Sequence, residues 1–218
     1  MLYNTAKPRR HSPDRGKRGL MIAEPVEQIE TVELTRRRFT VAEYMRMAEV
    51  GLLDEDSRIE LIRGEIVEMS PINVLHALCV NRLTMLLSAK LTGRVIVSVQ
   101  NPLQIDEYSI PQPDIALWKL PFENYADRLP GPPDVLLVIE VADSSIQYDR
   151  KTKTKLYGAA GITDYWIVNL AERQIEVYRE PQTDGYRVTT RYKPGETLSP
   201  LAFADVNLGT DEILGPND

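Results

Sequence analysis

The run Val135-Leu136-Leu137-Val138-Ile139-Glu140-Val141 constrains this chain more than any other segment. Seven residues, six of them branched aliphatics, read as a strand buried on both faces. A strand covered on both sides needs a layer of structure above it and another below. Glu140 breaks the apolar run. A carboxylate at that depth loses its hydration and must find a cation, a hydrogen-bond donor or a metal ion.

The remaining periodicity supplies the layers. Thr40 with Glu43 forms a capping-box pattern ahead of a helix over 41–50, and Gly51 follows as its stop. Residues 57–69 read as two short strands around a turn at Arg63-Gly64. A long helix is expected over 76–91, with Ala77, Val80, Leu83, Leu87 and Leu91 on one face, Leu86 beside them, and Cys79 as a small core residue. Strands follow at 95–99, continuing through Leu103-Gln104-Ile105, and at 115–118. The prolines of 119–134 make that stretch a loop with one helical turn. After the 135–141 strand comes a helix over 150–160 stopped by Gly161. A hairpin of 165–170 with 174–179 and a strand over 186–192 complete the pattern. Tyr165-Trp166 reads as core packing.

This order predicts an α/β (α+β) domain with a mixed central β-sheet flanked by helices. The domain is expected over 38–208, between a basic, disordered tail at 1–37 and a weakly structured C-terminal tail at 209–218. No Gly-x-Gly-x-x-Gly follows a strand and no Walker loop is present, which excludes the common nucleotide-binding folds.

Charge is distributed unevenly. Six basic residues against Asp14 give the first 20 residues +5, so the net charge of −6 leaves −11 on the rest. A basic arm touching phosphate is one reading of the tail. The acidic remainder can approach nucleic acid where metal ions neutralise its carboxylates. No apolar stretch is long enough to cross a membrane, no secretory signal is evident, and Cys79 is the single cysteine. A cytoplasmic protein without membrane partners is expected.

Gln112-Pro113-Asp114 places a second carboxylate at the mouth of an apolar strand, 26 residues before Glu140. If the two strands are adjacent, both acids can address one point. Magnesium takes one or two protein carboxylates and completes its octahedron with water and phosphate oxygens. A lysine nearby can stabilise developing negative charge. Among Lys151, Lys153 and Lys155, Lys153 shares a helical face with Leu156, Tyr157 and Ala160, and so borders the packed side. Each residue also has a structural reading: Asp114 as a turn cap, Lys153 as a solvated lysine, Glu60 as an outward strand residue, and His76 as a helix cap or packing group.

An ordered series of motifs adds to this. It comprises Glu60-Leu61-Ile62-Arg63-Gly64-Glu65-Ile66; Ser70-Pro71 with His76; Gln112-Pro113-Asp114; and Val138-Ile139-Glu140-Val141 with Ser144-Ser145. Asp149-Arg150 with Lys153 and Tyr157, then Ala160-Gly161-Ile162 with Tyr165-Trp166-Ile167-Val168, complete it. Over roughly residues 38–200 the chain resembles the Uma-two family of restriction-endonuclease-like proteins, placed in the PD-(D/E)XK nuclease superfamily. The resemblance implies a restriction endonuclease-like core that binds Mg²⁺ or Mn²⁺ and hydrolyses phosphodiester bonds in nucleic acid, with DNA as the expected substrate. Asp114 matches the acid of the PD element, Glu140 that of the (D/E)XK element, and Glu60 an additional early acid; these three are the expected metal ligands. The superfamily lysine belongs two residues after Glu140, where this chain has Ala142; the family resemblance moves it to Lys153 on the next helix. Gln112 and His76 match accessory positions. A homodimer is expected on the ground that two sites related by a two-fold axis cut both strands of a duplex. The competing reading is a non-catalytic nucleic-acid-binding or structural protein on the same scaffold.

Overall fold

Six strands assemble into the central sheet in the order in which they occur along the chain. The computed structural model describes residues 36–54 and 57–216. The expected tail at 1–37 lies outside the described residues, apart from Arg36 and Arg37.

The sheet runs β3 (Ile96–Val99), β4 (Ile115–Trp118), β5 (Val135–Ala142), β6 (Asp164–Asn169), β7 (Gln174–Gln182) and β8 (Gly185–Tyr192). All neighbouring pairs are antiparallel except β5 and β6, which are parallel. A parallel pair needs a crossover, and helical residues between β5 and β6 supply it. They comprise α3 (Ile146–Tyr148), a π-helical turn at Asp149–Lys153, and α4 (Thr154–Ala159). The expected helix over 150–160 therefore begins earlier and is wound more widely in its middle. The Asp149 carbonyl accepts the Thr154 backbone N–H and also the Thr154 hydroxyl at 2.8 Å, which closes the π turn.

Strand parity divides the core. Leu137, Ile139 and Val141 of β5 pack with Trp166 and Val168 against α2 (Val74–Lys90) and α5 (Thr210–Leu214). Val138 and Ala142 face the other way, toward Leu156 and Tyr157 of α4 and toward Tyr165, Ile167 and Tyr178. Glu140 has the parity of Val138 and Ala142, so it points into the layer beneath the crossover. Tyr165 and Trp166 are fully buried, as the sequence indicates.

Outside this sheet, α1 (Val41–Glu49) carries the expected capping box between Thr40 and Glu43. β1 (Ile59–Ile62) and β2 (Glu65–Glu68) form a separate hairpin. Arg63 and Gly64 both have positive φ, 53° and 81°, as a two-residue hairpin turn requires. α2 starts at Val74, two residues before the expected position, because the Asn73 side chain accepts the His76 N–H at 2.9 Å and caps the helix.

Two expectations fail. Leu103-Gln104-Ile105 does not extend the central sheet. Leu103 and Ile105 donate to Pro111 and Ser109 instead, and Gln104 donates to Pro130. The surrounding prolines remove donors that a sheet ladder would need. The chain beyond Leu208 is also not weakly structured. β10 (Leu208–Gly209) pairs with β9 (Thr197–Leu198), and α5 buries Ile213 and Leu214 against α2. Among the described residues, no helix is long and apolar enough to cross a membrane.

α4 approaches β8 at Gly158. A β-carbon there would lie 2.1 Å from the Gly185 carbonyl oxygen. Gly158→Ala is therefore expected to lower stability by about 1–3 kcal/mol, through displacement of the crossover, and urea unfolding measures it.

Candidate active site

Antiparallel pairing sets Ile115 opposite Ile139. Carried one residue further, the register sets Asp114 beside Glu140, at the end of the sheet where β4 begins and β5 leaves. The two are coupled through the backbone. The Val141 N–H donates to Asp114 Oδ2 at 2.9 Å, and the Asp114 N–H approaches Glu140 Oε2 at 3.4 Å. Two carboxylates 26 residues apart thus become neighbours through one strand pairing.

Lys153 reaches this point from the π turn. Its ammonium donates to Glu140 Oε1 at 3.0 Å and to Glu60 Oε1 at 2.8 Å, and all three side chains are buried. Tyr157, one turn later, donates its hydroxyl to Glu140 Oε1 at 2.8 Å. Glu60 Oε1 also accepts the Gln112 backbone N–H at 2.7 Å. His76 Nε2 lies 3.1 Å from Asp114 Oδ2, and the Gln100 side-chain amide donates to Asp114 Oδ1 at 3.1 Å.

All six residues named from the sequence therefore converge. Lys153, rather than Ala142, supplies the ammonium. Gln112 bonds to Glu60 through its backbone, a contact that any residue but proline could make. Glu60 enters through Lys153 rather than as part of a three-carboxylate cage; among the described residues no three His, Cys, Asp or Glu side chains are grouped to hold a metal ion.

Sequence reasoning did not assign roles to Asp149, Tyr157 or Gln100. Asp149 is buried, accepts the Ser145 hydroxyl at 2.7 Å and lines the same cavity as Asp114, Glu140 and Lys153. One signal was available: Asp149, Lys153 and Tyr157 recur every four residues, a single stripe on a helical segment. Gln100 carried none, because its position depends on the β3–β4 pairing.

The cavity has a volume of about 330 Å³. The acids in its wall are held in different states. Burial pushes Asp114 up, but His76, the Val141 amide and Gln100 outweigh burial and leave it below the usual carboxylate range. Burial pushes Glu140 up to about 8; Asp114, Asp149 and Glu60 add to this against the pull of Lys153. Asp149 is pushed up to about 6, again chiefly by burial. Burial opposes the charge on Lys153, yet Glu140 and Glu60 hold it protonated above its ordinary range. Two neighbouring carboxylates driven in opposite directions mark a site built for chemistry more often than one built for support.

Four buried acids surround a single buried lysine, so the cavity has a deficit of positive charge. Oxygen donors of this kind suit a hard divalent cation, and magnesium needs only one or two carboxylates once water and phosphate complete its shell. His76 Nδ1 and the Tyr148 hydroxyl are buried in the cavity wall without a hydrogen-bond partner among the described residues, which leaves polar atoms available to water or ligand. Asp114 and Glu140 thus fit a cation.

Comparison with known proteins follows the same line. A family model described as "Uma2: Putative restriction endonuclease" matches residues 41–211. No curated protein matches the chain. A solved structure described as "a putative nuclease belonging to DUF820 from Anabaena variabilis" superposes with a TM-score of 0.64 at 15% identity. It covers 81% of this chain and 97% of its own. At that identity the likeness is one of fold.

Proposed function

The chain belongs to the Uma2 family, and from that premise we propose that it is a cytoplasmic, metal-dependent endonuclease that hydrolyses phosphodiester bonds in DNA. The observation that carries this reading is the meeting of Asp114, Glu140 and Lys153 in one cavity, with Glu60 behind the lysine.

In this mechanism Asp114 and Glu140 hold a Mg²⁺ or Mn²⁺ ion. Bound there, the ion supplies charge relief for the non-bridging phosphate oxygens and activation of a water. The residues of the chain do the rest. Tyr157 and Lys153 engage Glu140 Oε1, which fixes the carboxylate in one orientation and leaves Oε2 toward Asp114. Glu60, itself held by the Gln112 amide, keeps the Lys153 ammonium in place. That ammonium is placed to stabilise negative charge on the phosphoryl oxygens in the transition state. His76 and Gln100 hold Asp114 ionised and oriented.

The test is cleavage of supercoiled and linear duplex DNA with Mg²⁺, with Mn²⁺ and with EDTA. Internal cutting that EDTA abolishes is the expected result. DNA retention without cutting under both metals would instead favour the non-catalytic scaffold.

A further inference from the structure

We propose that Arg58 is a phosphate-binding residue of the cavity, contacting the nucleic-acid backbone as it enters; this rests on the endonuclease reading. The first ground is strand geometry. Side chains alternate along an extended segment. Ile59 and Leu61 pack into the small core with Val41 and Tyr44, so Arg58 and Glu60 face the other way, and both line the cavity. Glu60 lies deep, whereas Arg58 is half-buried.

The second ground is pairing. Three basic side chains line the cavity. Lys153 is engaged by Glu60 and Glu140, and His76 by Asp114. Arg58 forms no ion pair among the described residues, although Glu60, Glu68, Asp114 and Asp149 line the same cavity. Its Nη1 donates instead to the Ser70 carbonyl at 2.6 Å. That bond fixes the guanidinium with one of its five N–H donors. A planar, preoriented cation facing a cavity, and not neutralised by the acids of that cavity, suits a bidentate phosphate contact.

The third ground is need. The wall carries more acids than bases, so an anionic backbone meets repulsion unless a cation stands where it enters. The bound metal ion would offset the inner acids, and Arg58 serves the flanking phosphate.

The experiment measures DNA binding in a Glu140→Gln background, with Mg²⁺ present, by anisotropy of a short labelled duplex over a series of salt concentrations. Adding Arg58→Gln is expected to weaken binding about tenfold, equally for unrelated sequences, and to reduce the slope of log K against log salt by about 1. Glutamine can still donate to the Ser70 carbonyl, so a purely structural arginine predicts an unchanged slope; that result overturns the proposal. Arg58→Lys keeps the charge and loses the fork. It is expected to retain the slope with weaker binding, and it carries the test if the glutamine variant fails to fold; affinity equal to that of the parent then overturns the assignment. If the wild-type chain neither cuts nor binds DNA or RNA with either metal, the endonuclease reading falls, and Arg58 with it. If it cuts and the slope is unmoved, only Arg58 falls.

Discussion

Glu140→Gln is expected to reduce metal-dependent cleavage by at least about 10³-fold while leaving the fold near wild-type stability. The two halves of this expectation have separate causes. Glutamine keeps the shape of the side chain and a carbonyl oxygen that can accept from Lys153 Nζ and the Tyr157 hydroxyl, the partners that hold Glu140 in place. Without divalent cations the Glu140 carboxyl is pushed up to about 8, chiefly by burial, so at neutral pH the folded protein already carries it largely protonated. A neutral amide is a close mimic of that state. The amide has no negative charge to offer a cation, however, and of the two proposed ligands only Asp114 keeps its carboxylate. Cleavage kinetics with a thermal melt on the same preparation read both halves. Full activity in Glu140→Gln would remove the centre of the mechanism.

Lys153→Met has the largest expected effect on stability, about 3–5 kcal/mol, because it removes the ammonium that two buried acids, Glu60 and Glu140, share. The double variant Glu60→Gln/Lys153→Met is expected to recover much of the loss, since it removes one of the acids left unpaired. The dependence on pH has a definite sign. Glu140 has a folded pKa of about 8 against an ordinary 4.5, so between those values the folded chain binds more protons than the unfolded one. In the absence of divalent cations its contribution is fully present below about pH 4.5 and is lost as the pH rises through about 8. Asp149, pushed up to about 6, adds in the same direction at the acidic end of that window. Removing Lys153 extends the trend to higher pH, because its charge is what pulls against the burial of Glu140. Added Mg²⁺ or Mn²⁺ is expected to raise the melting temperature more at pH 8.5 than at pH 6, where protons compete for the carboxylate. A melting temperature that climbs from pH 5 to pH 8 without metal would contradict this account of Glu140.

Short-range patterns were legible in the sequence because their causes are short-range. The Thr40–Glu43 capping box, the Arg63-Gly64 turn, the strand carrying Glu140 and the helix bearing Leu83 and Leu87 each follow from groups within a few residues of one another. Errors appeared where a distant partner decides. The local signals at 209–215, Asp211 and Glu212 in the first turn and Gly215 after the last, bracket only five helical residues, and burial of Ile213 and Leu214 against α2 orders them. Leu103–Ile105 has strand composition but lies among prolines and hydrogen-bonds to residues 109–111 and 130.

The site divides in the same way. By itself the sequence determined that Glu140 lies in a doubly buried strand and needs a partner, that Asp114 opens another strand, and that Lys153 sits on the packed face of the following helical segment; the ordered motifs determined the family. Only the tertiary structure decided that these groups meet. Their convergence depends on the register of β4 against β5, on a parallel crossover that returns over the face carrying Glu140, and on a π turn that sets both Asp149 and Lys153 into the cavity. Register and crossover are fixed by the whole core at once, since sliding one strand by a residue would turn Glu140 to the opposite face.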